Sequence, residues 1–352
     1  MMKRILMVVP SFTAKGGITA VADGYRNSKL EHDFDVKYVE TYCDGNVIKK
    51  LFKAFGGYIS FIFKFLFWKP DIIHIHSSFG ASFFRKKPFI DIAFRHHKPI
   101  VNHIHGADFD SFYRSADDKT KNKIKSAYSK CSYIIALSDE WKTNLSEIVD
   151  ESKIAVIENY GKINEQAVLD RQQKKIENNI LFLGFIGERK GCYDVPAIAE
   201  KVIAKIPYAK FILGGSGEIE KIISMSSEQV KKSLVFPGWV RNEKKDELLK
   251  QADVFFLPSY NEGMPMSILD AMGYGLPVVS TTVGGITKIV RNDVNGYTFA
   301  PGDIDGIANA VIKILSDKSL NKAMSRKSAE IITEEYSLNQ HISKLEKLYG
   351  AL

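Results

Sequence analysis

Two carboxylates eight positions apart lie in the part of the chain whose residue types point most directly to chemistry. Val254–Leu257 is an apolar run typical of a buried parallel strand, and Glu262 follows it in a turn rich in Gly and Pro. Pro265 suits the first position of a helix, which would carry Asp270. A helix start presents unpaired N–H groups and the positive end of its dipole. The pattern predicts a diphosphate site, with Glu262 and Asp270 placed to bind sugar and ribose hydroxyls beside it.

Two further glycine loops follow predicted strands. Gly16 and Gly17 come shortly after the first strand, and adjacent glycines let a phosphate or a sugar approach the backbone closely. In the second half, the loop 184–191 places Arg189 and Lys190 between glycines, where cations could offset the charge of a diphosphate. The alternatives are an ordinary strand–helix turn for the first loop and a solvated lysine for the second.

Histidines end two of the predicted strands. His105 ends one, and His74 with His76 ends another, which raises the question of a metal site. Their segments have no further Cys or carboxylate at ligand spacing, so we predict no metal. The triplets Asp-x-Asp at 108–110 and 303–305 are of a kind that occurs often by chance, and we assign them no metal either.

The elements that must position these residues alternate between strands and helices. Such alternation predicts α/β architecture with parallel sheets, and eleven strands are too many for one compact sheet. A polar stretch at 166–178 therefore predicts a linker between an N-terminal domain, 1–165, and a C-terminal domain, 179–326, with a final helix in 327–352. The predicted strands are Ile5–Val9, Val36–Val39, Ile72–Ile75, Ile100–His105, Ile134–Leu137, Ala155–Ile157, Ile180–Leu183, Phe211–Leu213, Leu234–Phe236, Val254–Leu257 and Val278–Ser280.

Composition agrees with an ordinary globular protein of two domains. The chain has 352 residues, of which 45% are hydrophobic and 26% charged. Three widely spaced cysteines suggest neither a disulfide framework nor a metal cluster, so a reducing cytosol is the simplest compartment. The apolar N-terminus is shorter than the core of a signal peptide, and a strand over Arg4–Val9 explains it better.

The net charge of +8 is concentrated in residues 49–98, which hold ten Lys or Arg and two Asp. The same segment carries thirteen of the forty aromatic residues, and 54–68 is nearly continuous apolar sequence. Basic residues beside exposed aromatics suit an anionic bilayer surface, whereas 54–68 alone is too short and too charged to span one. The alternative is a buried helix ahead of a strand. No recognised module accompanies the charge, so we predict no nucleic acid partner.

The stretch around Glu262 and Asp270 resembles the donor-site signature of glycosyltransferase family 4, and the likeness runs along the whole chain. That signature has two Glu separated by seven residues in a Glu-Gly-x-Pro context; here Asp270 replaces the second. The family also has Arg where this chain has Phe185, and Glu where it has Lys288. The resemblance implies two Rossmann-like doubly wound domains facing across a cleft, the B-type glycosyltransferase fold, with the last helix returning to the first domain.

The resemblance also implies roles for individual residues. His105 would contact a sugar hydroxyl, Glu262 would hold the sugar, and Lys190 would bind the diphosphate. These three are the predicted catalytic residues. The predicted donor-binding residues are Gly16, Gly17, Arg189, Val240, Arg241, Gly263, Met264, Pro265, Met266 and Asp270.

The function so predicted is retaining transfer of a hexose from a nucleotide-diphosphate sugar, uridine-linked, to a saccharide acceptor. The resemblance implies a lipid-linked acceptor, surface polysaccharide biosynthesis and no cofactor or metal. With the basic segment, it places the protein in the cytoplasm, peripheral at the inner face of the cytoplasmic membrane. Two alternatives stay open: a nucleotide-sugar epimerase of the same fold, and a non-catalytic glycosyltransferase-like partner subunit, which Phe185 and Lys288 favour.

Overall fold

The structure is a computed structural model that describes residues 2–106 and 108–352. Within them lie twelve strands: β1 Arg4–Val9, β2 Asp35–Glu40, β3 Ile72–Ser77, β4 Ile100–Ile104, β5 Tyr133–Ala136, β6 Ile154–Val156, β7 Asn179–Leu183, β8 Lys210–Gly214, β9 Leu234–Gly238, β10 Val254–Leu257, β11 Val278–Thr281 and β12 Gly296–Phe299. The sixteen α-helices of these residues are α1 Gly17–Gly24, α2 Lys29–Asp33, α3 Val47–Phe63, α4 Ala81–Arg95, α5 Asp118–Tyr128, α6 Asp139–Ser146, α7 Glu165–Gln173, α8 Val195–Lys205, α9 Ile219–Ser224, α10 Glu228–Ser233, α11 Asn242–Gln251, α12 Met266–Gly273, α13 Ile286–Ile289, α14 Ile304–Ser316, α15 Lys318–Glu334 and α16 Leu338–Gly350.

The chain forms two compact units, 1–159 with 338–352 and 160–337. The first contains a six-stranded parallel sheet in the order β2-β1-β3-β4-β5-β6. Its strands are apolar runs because helices cover both faces of a parallel sheet. All of β3 is buried, and so is all of β4. The predicted α/β class, with two doubly wound parallel sheets, is confirmed.

The second unit has its own parallel sheet, in the order β12-β11-β10-β7-β8-β9. Each of the eleven predicted strands is present within a few residues of its predicted bounds. The twelfth, β12 with the sequence Gly-Tyr-Thr-Phe, was missed because its partly buried residues form no continuous apolar run. The strand order reverses between β10 and β7, and open α/β sheets bind ligands outside the carboxyl ends of strands at such points.

The predicted linker at 166–178 differs from the structure. Most of it lies in or just after α7, a helix of the second unit. Arg171 is 4% exposed and donates hydrogen bonds to the carbonyls of Tyr274, Ala252 and Leu249 at 3.0, 2.6 and 2.8 Å. A polar sequence therefore belongs to a packed helix whose arginine satisfies buried backbone acceptors. The chain passes between units at 159/160 and again at 337/338.

The last helix, α16, belongs to the first unit. His341 and Tyr349 are buried on it, and its Lys344 forms an ion pair with Glu158 at 2.5 Å. Residues 327–337, which were predicted to lead this return, stay with the second unit.

One helical segment, Val47–Trp68, is long and apolar enough by length and composition to cross a membrane. It comprises α3 and a π-helical turn, Lys64–Trp68. The expectation that this segment is too short to span a membrane assumed a helix that begins at residue 54. The helix begins at Val47, seven residues earlier. The alternative of a buried helix also fails for most of its length, since only 17% of its most apolar window is buried.

Candidate functional site

The two residues predicted to hold the sugar and the diphosphate meet in the second unit. The Nζ atom of Lys190 donates a short hydrogen bond to Oε1 of Glu262, and the two form an ion pair. The Ser259 hydroxyl donates to the same oxygen at 2.7 Å. The side chains of Lys190 and Glu262 are 14% and 7% exposed. Sequence analysis placed both residues at a site but did not predict that they pair.

The loop after β7 is fixed against the loop after β10 by its backbone. Gly191 has φ +68°, and a Cβ added there would lie 1.9 Å from the Pro258 carbonyl oxygen, so the chain requires glycine. The Tyr260 amide donates to the Arg189 carbonyl at 2.9 Å. The Arg189 guanidinium donates to the Asn261 carbonyl, also at 2.9 Å. Arg189 and Lys190 are therefore both held against the predicted donor loop.

Helix α12 begins directly after this loop, as the position of Pro265 predicts. Pro265 is the N-cap residue, so the helix begins at Met266, one residue later than predicted, and its Ile268 is fully buried. The Gly285 amide donates to the Gly263 carbonyl at 2.6 Å, which fixes the loop from the other side. No hydrogen-bond acceptor for the Met266 and Ser267 amides is found among the residues that the structure describes. Two backbone donors and the positive end of the helix dipole are thus available to an anion.

The second predicted carboxylate, Asp270, lies on α12 and forms an ion pair with Lys245 at 3.0 Å. Both side chains are partly exposed, at 24% and 30%. Lys245 belongs to α11, which follows the loop that carries Val240 and Arg241. Val240 is buried and Arg241 is exposed. The structure therefore places the predicted nucleotide loop and Asp270 on neighbouring elements, joined by a lysine that sequence analysis did not single out.

The predicted arginine position of the donor loop is a half-exposed phenylalanine. Phe185 is 53% exposed and its ring lies against Gly187. Lys288, the other departure from the family pattern, lies on the short helix α13. We find no structural explanation for the Lys288 replacement.

Gly16 and Gly17 lie in the first unit, at the start of α1. Gly16 precedes the helix and Gly17 begins it, and both are exposed. The neighbouring Lys15 amide donates to the Asp44 carboxylate at 2.7 Å. The loop is open to a ligand, as the adjacent glycines predict.

His105, also in the first unit, is the edge member of a stack of imidazoles. Its Nε2 lies 2.9 Å from Nδ1 of His76, and its ring centroid lies 4.1 Å from that of His103. Burial, reinforced by the charge of His341, lowers the pKa of His105 to about 3, so the ring is neutral at pH 7. A neutral imidazole with one nitrogen held by a neighbour is suited to bind a hydroxyl.

The stack follows from sheet register. His76 pairs with His103 across β3 and β4, and His74 shares the face of His76 because side chains alternate along a strand. Burial lowers the pKa of His74 to about 3 and those of His76 and His103 well below 6.5. Above them, His341 accepts from the Tyr25 hydroxyl at 2.7 Å, since its Nδ1 donates to the Glu158 carbonyl.

Among the described residues, His74, His76 and His103 form one group that could hold a metal by proximity, with ligand atoms within 4.8 Å of one another. Their ring planes argue against that use. The ring planes of His74 and His76 are inclined by 14° and their centroids lie 4.5 Å apart. Their nitrogen lone pairs therefore lie in two nearly parallel planes and do not converge on one point. We interpret the group as a structural ladder. His103 and His341 were missed by sequence analysis; the i, i+2 spacing of His103 and His105 was the available signal.

The basic segment 49–98 does not present all its cations to solvent. Lys86 is 1% exposed and donates to the Thr41 hydroxyl at 2.6 Å; its pKa lies well below the ordinary value because burial disfavours the charge. Lys87 pairs with Asp91 at 2.5 Å, and the Arg85 guanidinium lies 4.9 Å from the Tyr42 ring. Residues 85–87 therefore do not form an exposed basic cluster within the segment 49–98.

Comparison with known protein families matches each unit to a glycosyltransferase family. Residues 18–160 match the family described as Glycosyltransferase Family 4, and residues 177–317 match the one described as Glycosyl transferases group 1. A curated Escherichia coli protein, UDP-Gal:alpha-D-GlcNAc-diphosphoundecaprenol alpha-1,3-galactosyltransferase, is 30% identical over 80% of this chain and 75% of its own length. The N-acetyl-alpha-D-glucosaminyl L-malate synthase of Bacillus anthracis is 23% identical over 79% of this chain and 74% of its own.

Solved structures show the same fold. Sucrose-phosphate synthase from Thermosynechococcus elongatus superposes with a TM-score of 0.79 at 16% identity, covering 99% of this chain and 98% of that one. HepE from Anabaena, solved in complex with UDP, superposes with a TM-score of 0.74 at 16% identity over the whole of both chains. At this identity the likeness shows the fold alone, which is the predicted B-type glycosyltransferase fold.

Proposed function

Since this chain belongs to glycosyltransferase family 4 and is a glycosyltransferase, we propose that it transfers a hexose, with retention, from a uridine-diphosphate sugar. The observation that carries the proposal is the buried pair of Lys190 and Glu262 beside the start of α12. That arrangement combines an ammonium group, free helix amides and a carboxylate, which suits a diphosphate bound next to a sugar. The name of the Escherichia coli relative, which specifies a UDP-linked galactose, supports a uridine donor.

The main task of the site is to stabilise the departing nucleoside diphosphate. The amides of Met266 and Ser267 and the ammonium of Lys190 supply fixed positive potential where negative charge develops. Lysine has three N–H donors, so Lys190 can bind a phosphate oxygen while it keeps its bond to Glu262. We propose that these groups serve in place of a divalent metal.

The remaining assignments follow the polarity of the site. Glu262 accepts hydrogen bonds from sugar hydroxyls, and Asp270 accepts from the ribose. Neutral His105 binds a sugar hydroxyl. Among the described residues, no side chain of the site is positioned as an obvious general base, so we propose that a donor phosphate oxygen takes the proton of the acceptor hydroxyl.

We further propose that the acceptor is a lipid-linked saccharide, handled at the inner face of the cytoplasmic membrane during surface polysaccharide assembly. Two observations support it. The Escherichia coli relative is named for a diphosphoundecaprenol-linked acceptor. The excess charge of this chain lies in residues 49–98, where Lys49, Lys69 and Arg95 are exposed, and exposed cations suit an anionic lipid surface.

The proposal is tested by screening UDP and a panel of nucleotide sugars by saturation-transfer NMR, followed by hydrolysis assays on the hits. We expect a uridine-diphosphate sugar to bind and to be hydrolysed slowly to free hexose. Release of an altered nucleotide sugar would instead indicate an epimerase. Binding of UDP with no turnover of any donor or acceptor would contradict the transfer reaction.

A further inference from the structure

The helix α3 and its π-helical extension present an apolar face to solvent. The side chains on this face are each more than half exposed: Ile48, Leu51, Phe52, Phe55, Ile59 and Phe63. Their spacing of three and four residues places them along one side of the helix. A surface helix of a globular protein ordinarily has its polar side chains there.

The opposite side of the helix is fastened to the first unit. Phe61 is fully buried and packs edge-on against Phe89 of α4 at 4.8 Å between ring centroids. A Cβ added to Gly57 would lie 2.5 Å from the Glu40 carbonyl oxygen, so the helix backbone rests directly on the end of β2. The exposed face therefore belongs to a helix whose other side packs against the first unit.

The lysines of the helix point away from the apolar face, since at about 100° per residue each lies about 90° or more from its centre. Lys49 lies in the first turn of α3, is exposed, and forms no ion pair among the described residues. Lys53 pairs with Glu40 at 2.6 Å, and Lys64 donates to the Ser60 hydroxyl at 2.7 Å. Exposed lysines lie near both ends of this segment, at Lys49 and Lys69. An apolar face with a cation near each end is complementary to the surface of an anionic bilayer, with acyl chains beneath negative headgroups.

We propose that Val47–Trp68 lies in the membrane interface and inserts its exposed apolar face between anionic lipids. It lies on the bilayer and does not span it, because spanning would pull Phe61 and Gly57 out of the first unit and carry four lysines into the hydrocarbon. The inference deepens the proposed function, since a lipid-linked acceptor is held at such a surface. It concerns how the protein reaches the membrane and requires no particular donor.

The test is flotation of the full chain with phosphatidylcholine vesicles, with and without about 30% phosphatidylglycerol. We expect co-flotation with the anionic vesicles that persists in part at about 0.5 M NaCl, because salt screens charge attraction and leaves apolar insertion intact. Phe52→Ser with Phe55→Ser is expected to lower the partition coefficient about 100-fold, since two large side chains no longer leave water.

The matched control is Leu169→Ser with Tyr208→Ser, which removes two apolar side chains that are 62% and 84% exposed in the second unit. This variant is expected to float like the wild type. Calorimetry with UDP in the absence of lipid is expected to be the same for all three proteins. Loss of UDP binding in the wild type would contradict the proposed function and leave the flotation result unaffected.

Four outcomes overturn the inference. One is wild-type protein that does not float with anionic vesicles at low salt, and a second is equal flotation of the Phe52→Ser, Phe55→Ser variant. The third is a wild-type dimer that the same substitutions convert to monomer without any vesicle binding, which would assign the face to a second copy. Resistance of the cellular protein to alkaline carbonate extraction would likewise overturn it in favour of a spanning helix.

Discussion

Replacing Lys190 by Met separates the electrostatic and packing roles of the pair with Glu262. Methionine fills similar volume but carries no charge, so the Glu262 carboxylate would stay buried without the ammonium that pairs with it, while the Ser259 hydroxyl still donates to its Oε1. Removing one partner of a buried pair typically costs 3–5 kcal/mol. Because Lys190 is 14% exposed and water can reach it, we expect the lower end, about 3 kcal/mol of unfolding free energy.

Glu262→Gln in the same background removes the stranded charge. The amide oxygen can still accept from the Ser259 hydroxyl. We therefore expect the double variant to lie within about 1 kcal/mol of the wild type, so the two substitutions are not additive. The same Lys190→Met protein is expected to bind UDP weaker by about 1.5–3 kcal/mol, the usual worth of a hydrogen bond to a charged group.

Because the chain has two units, its global unfolding need not be two-state. Hydrogen exchange of peptides from 254–273 during urea titration reads the second unit separately, for the wild type, both single variants and the double variant. A Lys190→Met protein as stable as the wild type would refute the reasoning. So would a double variant as unstable as the sum of the singles, because the pair would then not be coupled.

Three further predictions concern single positions or one cluster. Glu262→Gln is expected to keep UDP affinity in calorimetry while losing most transfer; equal loss of UDP and sugar-nucleotide affinity would contradict its sugar-side role. Asp270→Ala is expected to lower nucleotide affinity first and to leave Lys245 unpaired, with Lys245→Gln as the matched control for that ion pair. The first unit is expected to lose stability as pH falls from about 6.5 towards 4, because the unfolded chain then binds protons that the buried histidines do not. With a folded pKa of about 3, His74 alone contributes a loss of about 2 kcal/mol at pH 5; unchanged urea stability between pH 7 and 5 would contradict this.

Much of the fold follows from the sequence because parallel strands are short, continuous apolar runs. The eleven predicted strands lie within the two sheets for this reason. The strand β12 gave no such signal, because Tyr297, Thr298 and Phe299 are only partly buried. The misplaced linker has the opposite cause: α7 looks polar, but Arg171 buries its guanidinium by bonding three backbone carbonyls.

The elements that carry the candidate site were predictable from the sequence, whereas the pairing of Lys190 with Glu262 was not. A strand end, a turn with glycine and a helix start identify the loop of Glu262 from sequence alone. That Lys190 reaches Glu262 depends on how the loops after β7 and β10 pack, which involves residues 72 positions apart. The histidine ladder likewise depends on register between β3 and β4, and on a helix from the far end of the chain.

The surface of α3 shows a different limit. An apolar run is ordinarily read as buried, because burial stabilises it. Here Phe52 and Phe55 are 73% and 65% exposed, although their sequence is no more polar than that of a core helix. Only the structure distinguishes which of its faces packs against the unit.

The central claim is that the site around Lys190 and Glu262 activates a nucleotide sugar without a metal and with retention. Proton NMR of donor turnover in EDTA tests it most directly, since the anomeric signal of the first hexose released or transferred reports the stereochemistry. We expect UDP release to continue in EDTA, and the first product to have the same anomeric configuration as the donor. In the Glu262→Gln variant we expect UDP release to be lost. An inverted first product, or turnover that stops in EDTA and returns with a divalent cation, would contradict the account.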